Sequence, residues 1–278
     1  MAVAANGDVE LWYETFGDPA DPALLLVNGL GSQCVNFRVA WVEKFVAEGL
    51  FVIRFDNRDV GRSTWFDEAG TDGPAYTVED MADDAAAVLD AAGVEAAHVL
   101  GVSMGGMIVQ ALVIRHPERV RTLTSIMSST GDLDVGQPSH DSLEHILTPA
   151  PADREGYLGH QLVSIRTWGS PDAYDEDWIR MVNGEAYDRA FHPDGQLRQM
   201  YAVRTAASRT AALGAVTVPA LVIHGDEDRR VDPSGGRRTA EAIPGARFEL
   251  IEGMGHDYPP VWWDRIVGLV ASLVADER

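Results

Sequence analysis

Residues Ala97–Arg115 read AHVLGVSMGGMIVQALVIR. The first part, Ala97–Val102, is apolar and β-branched enough to be a buried strand, and Met104–Arg115 carries a helical apolar pattern that stops at His116-Pro117. Ser103 stands alone between them. Gly101-Val102-Ser103-Met104-Gly105 fits G-x-S-x-G, in which glycines two residues either side of a serine relieve crowding at a sharp strand-to-helix turn. Such a turn lifts a hydroxyl clear of the backbone, where it can attack a substrate. The plainer alternative is that Ser103 caps the helix.

Further strands are predicted at Asp8–Phe16, Ala23–Val27, Leu50–Phe55, Val120–Ile126, Ala220–His224 and Arg247–Glu252, the first as an antiparallel edge. Several are apolar almost throughout, as when helices cover both faces of a parallel sheet. Helices are predicted at Val78–Ala92, with Thr77 and Asp80 as a capping box, at Ser234–Ile243 and at Pro260–Val274. The alternation gives an α/β fold class: a mostly parallel open sheet flanked by helices. From about Gly131 to Leu213 the rhythm breaks, with no clear buried strand, so residues 131–213 are expected to form a helical cap or lid on a core of residues 1–130 and 214–278.

A serine hydroxyl needs a base to take its proton, and histidine titrates in the right range. His256, in Gly253-Met254-Gly255-His256, follows a strand and so falls at the sheet edge where Ser103 is expected. His98, His116, His140, His145, His160 and His192 are less well placed, at a strand start, a helix end or in the insertion. The carboxylate that would hold the imidazole lies in Gly225-Asp226-Glu227-Asp228. Asp228, past the strand end, is favoured; Asp226 is the alternative, expected to be tied up in the turn itself. Two backbone N–H groups are expected to stabilise an oxyanion: that of Met104, and that of Leu30 in Asn28-Gly29-Leu30-Gly31. Asn28, Trp168 and Trp178 are candidate substrate contacts, with Tyr174 beside them, although packing of the insertion is the more ordinary role for such aromatics.

The formal charge of −21, from 43 acidic and 22 basic residues, disfavours nucleic acid and anionic membrane surfaces as partners. The chain has no stretch long and apolar enough to span a bilayer, and Met1–Glu10 does not resemble a secretion signal. With Cys34 the single cysteine, no internal disulfide can form, and a cytoplasmic location is expected. Cys34 reads as a small buried filler, and Asp59 and Arg62 as supports of their own turn. Lys44 is the only lysine, a bias that carries no function.

These stretches, with RFDNRDVGRS (Arg54–Ser63), VPALVIHGDED and EGMGH, resemble the α/β-hydrolase superfamily over the sheet and its helices. GDVELW, FGDPADPALLLV and IRFDNRDVGRST resemble its aclacinomycin methylesterase branch. Many members have His-Gly where this chain has Asn28-Gly29. The resemblance implies a carboxylic ester hydrolase with a Ser103–His256–Asp228 triad, a small-molecule ester as partner, and no metal or organic cofactor. Two other readings stay open. One is a cofactor-free haloperoxidase or perhydrolase with the same triad; the other is a ligand-binding pseudoenzyme. Acyl preference and oligomeric state are not legible in the sequence.

Overall fold

Every residue of β3 (Ala23–Val27) is buried, yet its side chains serve two different cores. Successive side chains along a strand point to opposite faces. Leu24 and Leu26 therefore enter one hydrophobic cluster while Leu25 and Val27 enter the other. In the computed structural model, which describes residues 2–71, 73 and 75–277, β3 lies inside an eight-stranded sheet. The strand order is β1-β2-β4-β3-β5-β6-β7-β8. The other strands are β1 (Ala2–Asn6), β2 (Val9–Phe16), β4 (Phe51–Phe55), β5 (Ala97–Val102), β6 (Val120–Ile126), β7 (Ala220–Gly225) and β8 (Arg247–Ile251). All neighbours from β4 to β8 pair in parallel, and β1 and β2 run antiparallel.

β2 is not the edge strand that its sequence suggested. β1 pairs with it through a turn at Gly7, where φ is +60°, and takes the outer position. Its alanines and short length hide that strand from a reading of periodicity.

Helices α1 (Val39–Ala47) and α10 (Pro260–Glu277) cover one face, burying Trp41, Phe45, Ile266 and Val270 against Leu24, Leu26 and Val52. α1 was not foreseen, and it starts without a capping side chain at Arg38. The opposite face carries α2 (Val78–Ala91) and α3 (Met104–Arg115), with Met81, Leu89, Ile108 and Leu112 packed over Leu25 and Val99. The capping box that starts α2 forms as expected: Asp80 N–H donates to the Thr77 hydroxyl at 3.1 Å, and Thr77 N–H donates to the Asp80 carboxylate at 2.8 Å. α9 (Ser234–Ala242) packs on β7 and β8.

Between β6 and β7 the chain forms α4 (His140–Ile146), α5 (Arg154–Trp168), α6 (Glu176–Arg189), α7 (Pro193–Thr205) and α8 (Thr210–Leu213), with no strand among the described residues. Buried ion pairs tie these helices to the loop after β4. Arg198 of α7 grips Asp59 through Nε and Nη2, at 2.8 and 2.9 Å, and Arg189 of α6 meets Asp56 at 2.7 Å. Asp59 was expected only to support its turn. It does accept the Phe66 N–H, at 2.8 Å, but it is also the fully buried partner of a residue 139 positions away. Burial would raise its pKa; Arg198 outweighs that and holds the carboxyl below its ordinary range. Arg62 lies over the Trp12 ring at 5.4 Å. Among the described residues no helix is long and apolar enough to cross a membrane.

Candidate active site

The order of the strands places the site. β3 connects outward to β4 on one side while β5 lies on its other side, so the loops after β3 and β5 diverge and leave a crevice at their carboxyl ends. Asn28–Gly31 follows β3 and Ser103 follows β5. The backbone at Ser103 has φ +56° and ψ −120°, a left-handed conformation that costs a non-glycine residue about 1–3 kcal/mol. The turn is crowded enough to require its glycines: a Cβ on Gly101 would lie 2.1 Å from the Gly105 carbonyl oxygen, and one on Gly105 would lie 2.0 Å from that of Val27. The Ser103 side chain makes no capping bond to α3, which removes the plainer reading of this serine.

The Ser103 hydroxyl instead lies 3.0 Å from His256 Nε2, and His256 Nδ1 lies 2.7 Å from Asp228 Oδ2. A carboxylate only accepts, so Nδ1 carries the ring proton and Nε2 offers its lone pair to the Ser103 O–H. Three residues up to 153 positions apart thus form one hydrogen-bonded chain. Asp228 is fully buried, and its Oδ1 accepts the N–H groups of Arg230 and Val231, each at 2.9 Å.

His224, at the end of β7, was not singled out in the sequence. Its Nε2 is 2.8 Å from the Val231 carbonyl oxygen and 3.2 Å from Asp228 Oδ2. Both partners accept, so this nitrogen is protonated and donates to both. Burial alone would raise the Asp228 pKa. The His256 imidazole and the two imidazole hydrogen bonds overcome it and hold the carboxyl well below its ordinary range. The only sequence signal for His224 is its place in VIHGDED, four residues before Asp228.

Asp226 is not bound within its own turn, as was expected. Its Oδ1 accepts the Gly253 N–H at 2.7 Å and so anchors the loop that carries His256. That loop is held from the other side as well, by His256 N–H donating to the Trp168 carbonyl and Gly255 N–H donating to the Ser170 hydroxyl at 3.0 Å.

Neither the Leu30 nor the Met104 N–H has an acceptor within the protein among the described residues. Gly29 brings their loops together: a Cβ there would sit 3.3 Å from that of Ser103. Asn28 is buried: its Nδ2 donates to the Gln33 carbonyl at 2.6 Å, and its Oδ1 accepts the Gly29 N–H at 3.2 Å and the Tyr258 hydroxyl at 3.4 Å. It supports the turn and also lines the cavity that opens beside Ser103. Gln199 of α7, also unforeseen, accepts the Gly31 N–H at 2.8 Å and donates to the Arg58 carbonyl at 2.8 Å.

A cavity of about 320 Å³ opens beside Ser103 and His256. Leu30 and Met127 line it from the sheet side, Tyr157, Trp168 and Met200 from the helices, and Phe191 from the loop between α6 and α7. Trp168 takes the expected position. Trp178 does not: it packs edge-on against Trp263, with ring centroids 5.8 Å apart, and faces the α10 core. Tyr174 lies under Arg166, also away from the cavity. Cys34 is fully buried, and burial together with nearby Asp56 pushes its thiol pKa far up, which leaves it unreactive. Among the described residues no group of three or more His, Cys, Asp or Glu side chains is arranged to hold a metal ion.

The family model for the alpha/beta hydrolase fold matches residues 22–258. Rhodomycin D methylesterase DauP of Streptomyces sp. (strain C5) is 36% identical over 281 residues, which cover 91% of this chain and 90% of that protein. A Mycobacterium tuberculosis (strain ATCC 25618 / H37Rv) protein that bears the name non-heme bromoperoxidase BpoC is 27% identical and covers 89% of the chain and 91% of its own length. Among solved structures, the enol-lactonase from Burkholderia xenovorans LB400 superposes with a TM-score of 0.78 at 23% identity, covering 99% of this chain and 100% of that one.

Proposed function

Because the chain belongs to the α/β-hydrolase family, we propose that it is a serine esterase in which Ser103 is the nucleophile, His256 the base and Asp228 its orienting carboxylate. One observation carries the assignment: the Ser103–His256–Asp228 hydrogen-bonded chain, with its hydroxyl on a strained turn at the cavity wall. In the first step Ser103 Oγ attacks the ester carbonyl while His256 Nε2 takes the hydroxyl proton. The oxyanion sits on the N–H groups of Leu30 and Met104, each worth about 3–4 kcal/mol in such a site. The C–O bond to the alcohol then breaks, and His256 returns the proton to the departing alkoxide. Water deprotonated by His256 attacks the acyl-enzyme and releases the acid and Ser103. The steps call on no metal or organic cofactor.

The methylesterase relative, together with a cavity walled by aromatic and aliphatic side chains, supports a bulky, polyketide-like ester as substrate. Residues 131–213 act as a lid over a core of residues 1–130 and 214–278, and supply much of the cavity wall. Ser103→Ala is expected to lower ester turnover by about ten-thousandfold or more while the protein still melts cooperatively, and a fluorophosphonate should label Ser103 in the wild type. Retained turnover in the variant would refute the assignment. An intact enzyme that takes no fluorophosphonate would point to a binding protein on the same scaffold.

The bromoperoxidase-named relative favours testing a second reading, in which hydrogen peroxide replaces water at the acyl-enzyme and releases a peracid. Peroxide-dependent halogenation that disappears in Ser103→Ala would support it.

A further inference from the structure

Arg230 follows Asp228 by two residues and is a wall of the same cavity as Ser103 and His256. Its backbone N–H is committed to Asp228, but its guanidinium has no hydrogen-bond or ion-pair partner in the protein among the described residues. Arg204, Arg237 and Arg265 also make none, yet all three are exposed to water, which satisfies them. Arg230 is only partly exposed. One face of its guanidinium lies 4.5 Å above the Trp168 ring, a stacked position that fixes the plane and leaves the N–H edge open.

The carboxylate that acts on Arg230 electrostatically, Asp228, is already used. Both oxygens of Asp228 are occupied by the Arg230 and Val231 backbone and by His256 and His224. Asp257 accepts the Ser170 N–H, at 2.9 Å, and the Ser170 hydroxyl on one of its oxygens. In a chain with 43 acidic residues, a cavity-lining arginine without a carboxylate partner is an unusual expense unless something else fills that place. Of the other titratable residues on the cavity wall, Asp59 is paired with Arg198, and His145 stacks on His160 at 4.2 Å and lies 5.3 Å from Trp168. Burial, then the charges of His160 and Arg230, lower the His145 pKa, so this imidazole stays neutral and does not compete for an anion.

We propose that Arg230 is a specificity residue that receives a carboxylate of the substrate, held by the fork of its guanidinium while Trp168 fixes the plane. The preferred ester would then carry a negative charge away from its scissile bond. The proposal rests on the reading of this cavity as the substrate pocket, but its test needs no turnover. Ser103→Ala protein is titrated calorimetrically at pH 8 with 4-phenylbutyrate and with the neutral 4-phenylbutanamide. The carboxylate is expected to bind about tenfold to a hundredfold more tightly, as for charge-assisted hydrogen bonds. Arg230→Met should abolish that preference and Arg230→Lys should keep part of it, with thermal melts verifying that each variant folds. Equal binding of the two probes, no binding of either, or a preference that survives Arg230→Met, as when the anion merely occupies the N–H groups of Leu30 and Met104, overturns the proposal. A wild type that hydrolyses no ester would end the esterase reading and leave this titration valid.

Discussion

Asp228 illustrates how much one side chain depends on its neighbours. It accepts two backbone N–H groups on one oxygen and two imidazoles on the other, and only these donors keep its charge tolerable in a buried place. Its folded pKa lies below the value of about 3.9 expected unfolded, so ionisation and folding support each other. That stability is present above about pH 4 and is lost as pH falls through the depressed folded value. Asp228→Asn should therefore melt at lower temperature than the wild type at pH 7, with the gap narrowing below pH 4. Its kcat should fall by about a thousandfold or more, because the His256 tautomer is no longer enforced. His224→Phe should lower kcat by about tenfold with little change in KM, since this residue acts through Asp228 and not on the substrate. Ser103 and His256 were legible in the sequence because glycines mark their turns. His224 was not, because its role arises only when the turn after β7 folds back and brings the Val231 carbonyl to its ring.

At the level of elements, the turn between β5 and α3 stores strain that its surroundings must hold. Gly105→Ala would drive a Cβ to 2.0 Å from backbone, where no side chain can yield. A loss of about 3 kcal/mol or failure to fold is expected, measured by denaturant unfolding. Gly268 in α10 is the control: a Cβ there meets nothing within 4 Å, and Gly268→Ala should stabilise the protein by up to about 1 kcal/mol. The central parallel strands β3, β4, β5 and β7 were legible because their runs are buried on both faces. β1 and α1 escaped for a common reason: neither carries a strong local signal, β1 being short and alanine-rich and α1 starting uncapped. Tertiary pairing makes them.

For the molecule as a whole, the sequence marked out where the helices between β6 and β7 would fall but not what they would touch. Trp168 and Trp178 sit ten residues apart with the same side chain, yet one lines the cavity and the other packs on α10. Nothing local separates them. The helices are fastened by charges: Arg198→Met would leave Asp59 buried without its partner, at a cost of about 3–5 kcal/mol. Hydrogen exchange should accelerate first in α6 and α7, ahead of the sheet.

The groups proposed to react all stand on loops of the sheet, whereas Tyr157 and Met200 stand on the helices between β6 and β7 and Phe191 on the loop that joins α6 to α7. Under the proposed function, reactivity is therefore written in one portion of the gene and much of the apolar selectivity in another, with Arg230 the polar exception on the core side. A foreign helical stretch could be transplanted between β6 and β7 to give the same nucleophile a new repertoire, provided the graft brings its own arginines to Asp56 and Asp59 and its own glutamine to Gly31.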